Sequence, residues 1–213
     1  MTTTICWSLK GGSGTTVVVA CLALNHHLPV VVVDLDGDLP AVLGLDEPHG
    51  QGLTDWFESA VPAHAVDDLA IDVDERIRLI PRGLGHLPAA GSARWRTFGT
   101  WLIAARPDVL IDAGTGGPPG GLVDAAPAAR HLLVTRACYL ALRHAARSTH
   151  RPDGVVLVAE PGRRLLGRDV ERSVGAPIVA TFSLDPAVAR AVDSGLLRAR
   201  LPHHARRELK AAS

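Results

Sequence analysis

The stretch from Thr2 to Asn25, TTTICWSLKGGSGTTVVVACLALN, constrains the fold more than any other. An apolar β-type run, Ile5-Cys6-Trp7, stops at the Gly-rich segment Lys10-Gly11-Gly12-Ser13-Gly14-Thr15-Thr16. An Ala/Val/Leu run of helical length follows. This order predicts a strand, a loop and a helix. Glycines let backbone N–H groups converge, and a helix N-terminus adds about half a positive charge, so such a loop is built to hold phosphate. A Gly-rich turn between strand and helix also occurs in α/β proteins that hold no nucleotide, so the residues inside the loop decide the matter.

Composition bears on one of them. Of the 22 basic residues only Lys10 and Lys210 are lysines, and the Lys at the loop entrance therefore points to a need for a compact ammonium there. The general phosphate-loop pattern is G-x-x-x-x-G-K-[ST], whose Lys reaches the terminal phosphates and whose hydroxyl holds magnesium. The segment KGGSGTT resembles the deviant Walker A motif, KGGxGK[ST], of the ParA/MinD family of P-loop ATPases. The resemblance implies that Lys10 is that family's signature lysine and Thr16 its magnesium ligand. Gly11, Gly12, Ser13, Gly14 and Thr15 would cradle phosphate. It also exposes a departure, because Thr15 stands where the phosphate-binding lysine belongs.

Two further elements follow at the family's spacing. The β-branched run Pro29–Leu35 ends at Asp34, Asp36 and Asp38, and carboxylates at the carboxyl end of a parallel strand sit where open α/β sheets bind ligands. Alone these would read equally as solvated turn acids before Pro40. The resemblance implies that Asp36 positions the attacking water. Pro107–Gly117, PDVLIDAGTGG, predicts a strand that delivers Asp112 into a second Gly-rich loop. That is the arrangement of a Walker B strand, with Asp112 at the magnesium and Gly114 giving the γ-phosphate a close backbone approach. The plain alternative is an Asp that caps an ordinary helix.

The remainder predicts a three-layer α/β fold with a mostly parallel, seven-stranded sheet and helices on both faces. Strands at His131–Thr135, Gly154–Val158 and Pro177–Phe182 alternate with helices at Tyr139–Arg147 and Gly167–Val174. Hydrophobic residues make up 47% of the chain but aromatics only 4%, which suits a buried parallel sheet. Leu53, Trp56 and Phe57 are expected core anchors, as are Trp95, Phe98, Trp101 and Leu102 on one face of a helix at Ser92–Ala105. The 213 residues read as one domain of cytoplasmic type, with scattered, reduced cysteines at Cys6, Cys21 and Cys138 and no apolar run of transmembrane length. A net charge of zero argues against wholesale coating of nucleic acid. The tail from about Leu196 carries a net +4, however. It reads as a solvated surface helix, as a patch for nonspecific DNA or another anionic surface, or as a short membrane helix.

The resemblance covers Thr2 to about Leu197 and is nearest to MinD-like proteins and to the ATPase module of TadZ/CpaE pilus-assembly proteins. It puts Ser183-Leu184-Asp185-Pro186 beside the adenine, and it finds Glu160 near where relatives place a base-reading Asn. It implies ATP and Mg2+ as ligands, a homodimer with the nucleotide between its subunits, and a switch that positions a cargo such as a chromosome, plasmid, division or pilus machinery, with at most very slow hydrolysis. The rival is a nucleotide-free scaffold that keeps the shape and binds a protein partner.

Overall fold

The computed structural model describes residues 2–46, 48, 50–105, 107–210 and 212. Apolar runs form the parallel strands β1 (Thr3–Ser8), β2 (Val30–Asp34), β4 (Ile77–Ile80), β5 (Asp108–Thr115), β6 (Arg130–Arg136), β7 (Gly154–Ala159) and β8 (Ile178–Ser183). These are the seven strands expected from the sequence. An eighth, β3 (Ile71–Asp72), joins the edge antiparallel to β4, with Ile71 opposite Leu79 and Asp72 opposite Arg78. Two residues are too few to show a period-2 pattern. What makes the strand is Asp74, whose Oδ1 accepts from the N–H groups of Arg76 and Ile77 at 2.8 and 2.9 Å and turns the chain back onto β4.

The sheet order is β3-β4-β2-β5-β1-β6-β7-β8. The chain goes to one side of β1 for β2 to β5 and to the other for β6 to β8. The carboxyl end of β1 is therefore the switch point at which open α/β sheets form a ligand crevice. Side chains alternate between two cores. Cys6, Val30, Val32, Leu132 and Val134 face α1 (Thr15–Asn25), α2 (Leu39–Val42), α8 (Pro186–Asp193) and α9 (His203–Glu208). Ile5, Trp7, Val31, Val33 and Leu133 face α3 (Leu53–Glu58), a 3-10 turn at Ala63–Leu69, α4 (Ala93–Ala104), α5 (Gly120–Ala125), α6 (Tyr139–Arg147) and α7 (Gly167–Val174). The aromatic residues expected in the core are there, with Trp56, Phe57, Trp95, Phe98 and Trp101 in mutual ring contact. Cys6 and Cys21 are buried, whereas Cys138 is only partly so.

Helix α1 is apolar on every side, and such a helix must be covered on every side. The tail provides the cover. Leu197, Leu201, Ala205, Leu209 and Ala212 are buried in the α1 core. Asn25 Nδ2 donates to the Arg206 carbonyl at 3.0 Å, Arg206 Nη1 donates to the Leu24 carbonyl at 3.2 Å, and Ser183 donates from N and Oγ to Glu208 at 2.8 and 2.6 Å. The tail is thus a docked layer of the fold and not a surface helix with a free apolar face. Its Ala211 and Ser213 lie outside the described residues. Among the described residues no helix is long and apolar enough to cross a membrane.

Truncating a buried Leu loses its transfer energy and leaves a cavity, so Leu209→Ala should cost about 2–5 kcal/mol in urea unfolding. Arg207→Ala, on the exposed side of α9, should stay within about 0.5 kcal/mol. Equal midpoints for Leu209→Ala and the parent would show that the tail is not part of the folded core.

Candidate functional site

The loop after β1 turns on glycines with positive φ, Gly12 at 73° and Gly14 at 92°. Gly14 occupies the left-handed region that an L side chain resists, and its carbonyl accepts the first helical bond of α1, from Val18 N–H at 3.0 Å. Ser13 Oγ closes the loop by donating to the Lys10 carbonyl at 2.6 Å. Lys10 Nζ donates to the Gly11 carbonyl at 3.2 Å, folded over its own loop. Thr15 opens α1 with its side chain buried.

Ser8, at the end of β1, ties this loop to the second one. Its carbonyl accepts from the N–H groups of Gly116 and Gly117 at 2.8 and 3.2 Å. Its hydroxyl lies 3.3 Å from the Lys10 carbonyl, 3.4 Å from the Gly114 carbonyl and 3.3 Å from the Thr115 hydroxyl. Sequence reasoning missed Ser8, and nothing in its spacing marks it.

The acidic residues take distinct roles. Asp34 and Asp112 sit opposite each other on β2 and β5, both fully buried. Asp34 is satisfied, accepting from the N–H groups of Asp36 (3.0 Å) and Gly37 (2.7 Å) at Oδ1 and of Leu39 (3.1 Å) at Oδ2. It therefore shapes the turn that presents Asp36. Asp112 accepts from Gly114 N–H at 3.0 Å through Oδ1, while its buried Oδ2 has no hydrogen-bond partner among the described residues. Asp112 lies inside β5, well before α5, so it is not a helix cap. Asp36 is exposed and lies against Gly114, where φ is 65° and an added Cβ would overlap the Asp36 carboxylate. The structure thus brings Asp36, Asp112, Gly114 and Thr16 together, and leaves Lys10 apart from them.

Burial pushes the Asp112 carboxyl up to about 7; Thr16 beside it and the Gly114 N–H pull it down, and Asp34 and Asp36 raise it further. Burial likewise raises Asp34 to about 6 against its three backbone donors. Asp36 is raised by burial and by Asp38, and Arg82 opposes this.

The donor set suits magnesium. That ion keeps several waters and completes its shell with one or two carboxylates plus substrate phosphates. Thr16 and the Asp112 Oδ2 would supply the protein's share. Among the described residues no group of three or more His, Cys, Asp or Glu could hold a metal unaided, so phosphate oxygens would have to supply the rest.

Beside the loop a cavity of about 230 Å³ is lined by Gly14, Val17, Arg136, Phe182, Leu184 and Asp185. It lies where the Ser183–Pro186 stretch is expected beside a base. Glu160, near the base-reading position, is engaged with Arg163 at 2.5 and 2.9 Å. Arg136 was not singled out in the sequence.

Comparison with solved structures finds this fold in a ParA family ATPase from Chlorobium tepidum TLS, 17% identical over 97% of this chain and 96% of that one, with a TM-score of 0.75. It finds it in the septum site-determining protein MinD complexed with Mg-ADP from Pyrococcus horikoshii OT3, at 18%, 97% and 92%, with a TM-score of 0.74. An ATP complex of a McdA variant from Cyanothece matches at 17%, 98% and 93%, with a TM-score of 0.69. No family model and no curated protein matches the sequence. The architecture is that of the ParA/MinD-like P-loop ATPases.

Folded-state values of about 6 and 7 for Asp34 and Asp112, against an ordinary 3.8, mean that the folded protein keeps protons which the unfolded chain releases. Stability from these groups is full below about pH 4 and is lost as pH rises through 6 to 7. The His131–His150 pair, held below its ordinary 6.5 by burial, acts in the opposite sense. The informative quantity is therefore a difference: without nucleotide or magnesium, Asp112→Asn should gain stability relative to the parent between pH 5 and pH 8 in urea unfolding. Parallel pH profiles would remove Asp112 as a source of strain.

Proposed function

We propose that the protein is a nucleotide-dependent switch that binds ATP with Mg2+, pairs with a second copy of itself, and positions a cargo while hydrolysing ATP very slowly. The observation that carries this is Asp112 Oδ2, a buried carboxylate oxygen without a partner beside the hydroxyl-bearing Thr16 of the loop. A buried group left unsatisfied costs about 1–3 kcal/mol, and more when charged. A hydrated cation carried in on phosphates would satisfy it. In this reading the N–H groups of Gly11–Thr16 hold the phosphates, Thr16 and Asp112 hold the metal, Gly114 lets backbone approach the terminal phosphate, and Asp36 orients water. Lys10, whose ammonium bonds only its own loop among the described residues, serves the other copy's nucleotide. The likeness to a septum site-determining protein with Mg-ADP and to a McdA–ATP complex supports the choice of ligand and of a positioning role.

A second reading, a nucleotide-free scaffold for a protein partner, is favoured by Thr15, whose buried hydroxyl replaces an ammonium. Loss of one charge-assisted contact weakens binding by about tenfold to a hundredfold, which binding survives. Hydrolysis suffers more, since a cation at the transferring phosphate is worth about 10³–10⁵ in rate.

Calorimetric titration of the full chain with ATP should show binding that tightens with Mg2+, and Asp112→Ala should abolish the tightening. A magnesium response unchanged in that variant would take Asp112 out of the site. Light scattering separates switch from scaffold. ATP should raise the mass to that of a dimer, Lys10→Ala should block the rise, and Thr15→Lys should tighten ATP by roughly tenfold or more. A mass indifferent to ATP whatever stands at position 10 would favour the scaffold.

A further inference from the structure

Thr15 leaves the phosphate loop one cation short, yet the structure holds a cation that the switch reading does not use. Arg136 ends β6, the strand beside β1, and its backbone is fixed opposite Val158 of β7. Its side chain walls the 230 Å³ cavity together with Gly14, the cap of α1, and Val17 in that helix's first turn. The side chain is 31% exposed, but its Nε is buried and forms no hydrogen bond among the described residues. Asp185 and Asp193 line the same cavity, while among the described residues the one carboxylate within ion-pair distance is that of Glu160, with Nη1 3.9 Å from Oε2, beyond hydrogen-bond reach. That oxygen is already occupied by Arg163, which donates to it from Nε and Nη2 at 2.9 and 2.5 Å. Arg136 is thus a half-buried guanidinium, positioned by a central strand, with donors left over and the helix N-terminus beside it.

We propose that Arg136 supplies the cationic contact to the nucleotide's phosphates that Thr15 no longer provides. The inference rests on the nucleotide reading of the same site. A guanidinium offers a planar fork of donors that matches phosphate oxygens two at a time, where a loop lysine offers a point charge. It needs no change in the loop, because it approaches from the neighbouring strand, across the cavity from Val17. The chain's composition agrees, since 20 of its 22 basic residues are arginines.

The test compares adenosine, ADP and ATP, each with Mg2+, titrated onto the full chain. The proteins are the parent, Arg136→Gln, Arg136→Lys, Thr15→Lys and the Thr15→Lys/Arg136→Gln double variant. Arg136→Gln should weaken ADP and ATP by about tenfold to a hundredfold and leave adenosine within about twofold. Arg136→Lys should recover part of the loss. In the Thr15→Lys background Arg136→Gln should cost less than in the parent, because a loop cation then shares the task. Equal losses for adenosine and ATP would make Arg136 a wall of the base pocket. Unchanged ATP affinity would make it merely a neighbour of Glu160, and an undiminished loss in the Thr15→Lys background would show that the two positions do not substitute. Each of these overturns the proposal. Should Arg136→Gln not fold by circular dichroism, Arg136→Lys decides: a loss confined to ADP and ATP supports the proposal, and a matching loss for adenosine overturns it. A parent protein that binds none of the three ligands overturns the nucleotide reading itself, an outcome visible before any variant is made.

Discussion

Two buried carboxylates side by side are the constraint on which this end of the molecule depends. Asp34 and Asp112 face each other across neighbouring strands with no exposed surface, and no Lys or Arg forms an ion pair with either among the described residues. Like charges at such a distance disfavour ionisation of both. The fold answers unequally. Asp34 receives three backbone N–H groups and becomes the keystone of the turn at 34–39, while Asp112 receives one and keeps an oxygen in reserve. That inequality separates an acid satisfied by its own turn from one that keeps a buried oxygen unpaired among the described residues. Gly114, two residues on in the same strand, has a φ of 65° and packs so close to Asp36 that an added Cβ would overlap its carboxylate.

The strand–loop–helix at the start, the DLD turn and the LIDAG strand were legible because each is a local pattern whose residues are neighbours in sequence. The class of fold was legible for the same reason, and helices such as Tyr139–Arg147 and Gly167–Val174 fall where the alternation of strand and helix puts them. What was not legible depends on contacts between distant segments. The tail reads as basic and polar, yet Leu197, Leu201, Ala205 and Leu209 recur every four residues and are buried. That stripe was the available signal, and the net charge outweighed it. Ser8 and Arg136 carry no local signal. Their roles arise where strand ends meet, and neither differs in sequence from an ordinary strand terminus.

Charge at the loop has been redistributed rather than lost. Thr15 removes an ammonium from the start of α1, while Lys10 stays at the loop entrance and Arg136 stands at the end of the adjacent strand. The helix dipole and the loop N–H groups remain, and they need no particular side chain. In the proposed reading the electrostatic demand of a polyphosphate would be met by backbone and by side chains just beyond β1 and at the end of β6. Such an arrangement can hold a nucleotide with less power to stabilise charge that develops at the terminal phosphate.

Ser8 adds a mechanical consequence. Because its carbonyl holds Gly116 and Gly117 while its hydroxyl sits among the Lys10 and Gly114 carbonyls and the Thr115 hydroxyl, the two Gly-rich loops share one anchor. A displacement of the 114–121 segment must break bonds at Ser8 or drag the Lys10 backbone with it. The Lys10 side chain folds back over its own loop, and Asp36 packs on Gly114 at the other end of the same chain of contacts. Packed cores shift between discrete arrangements rather than deform smoothly. A ligand held at Asp112, as proposed, would meet Gly114 through the hydrogen bond to Oδ1, Asp36 through its packing on Gly114, and the Lys10 carbonyl through Ser8.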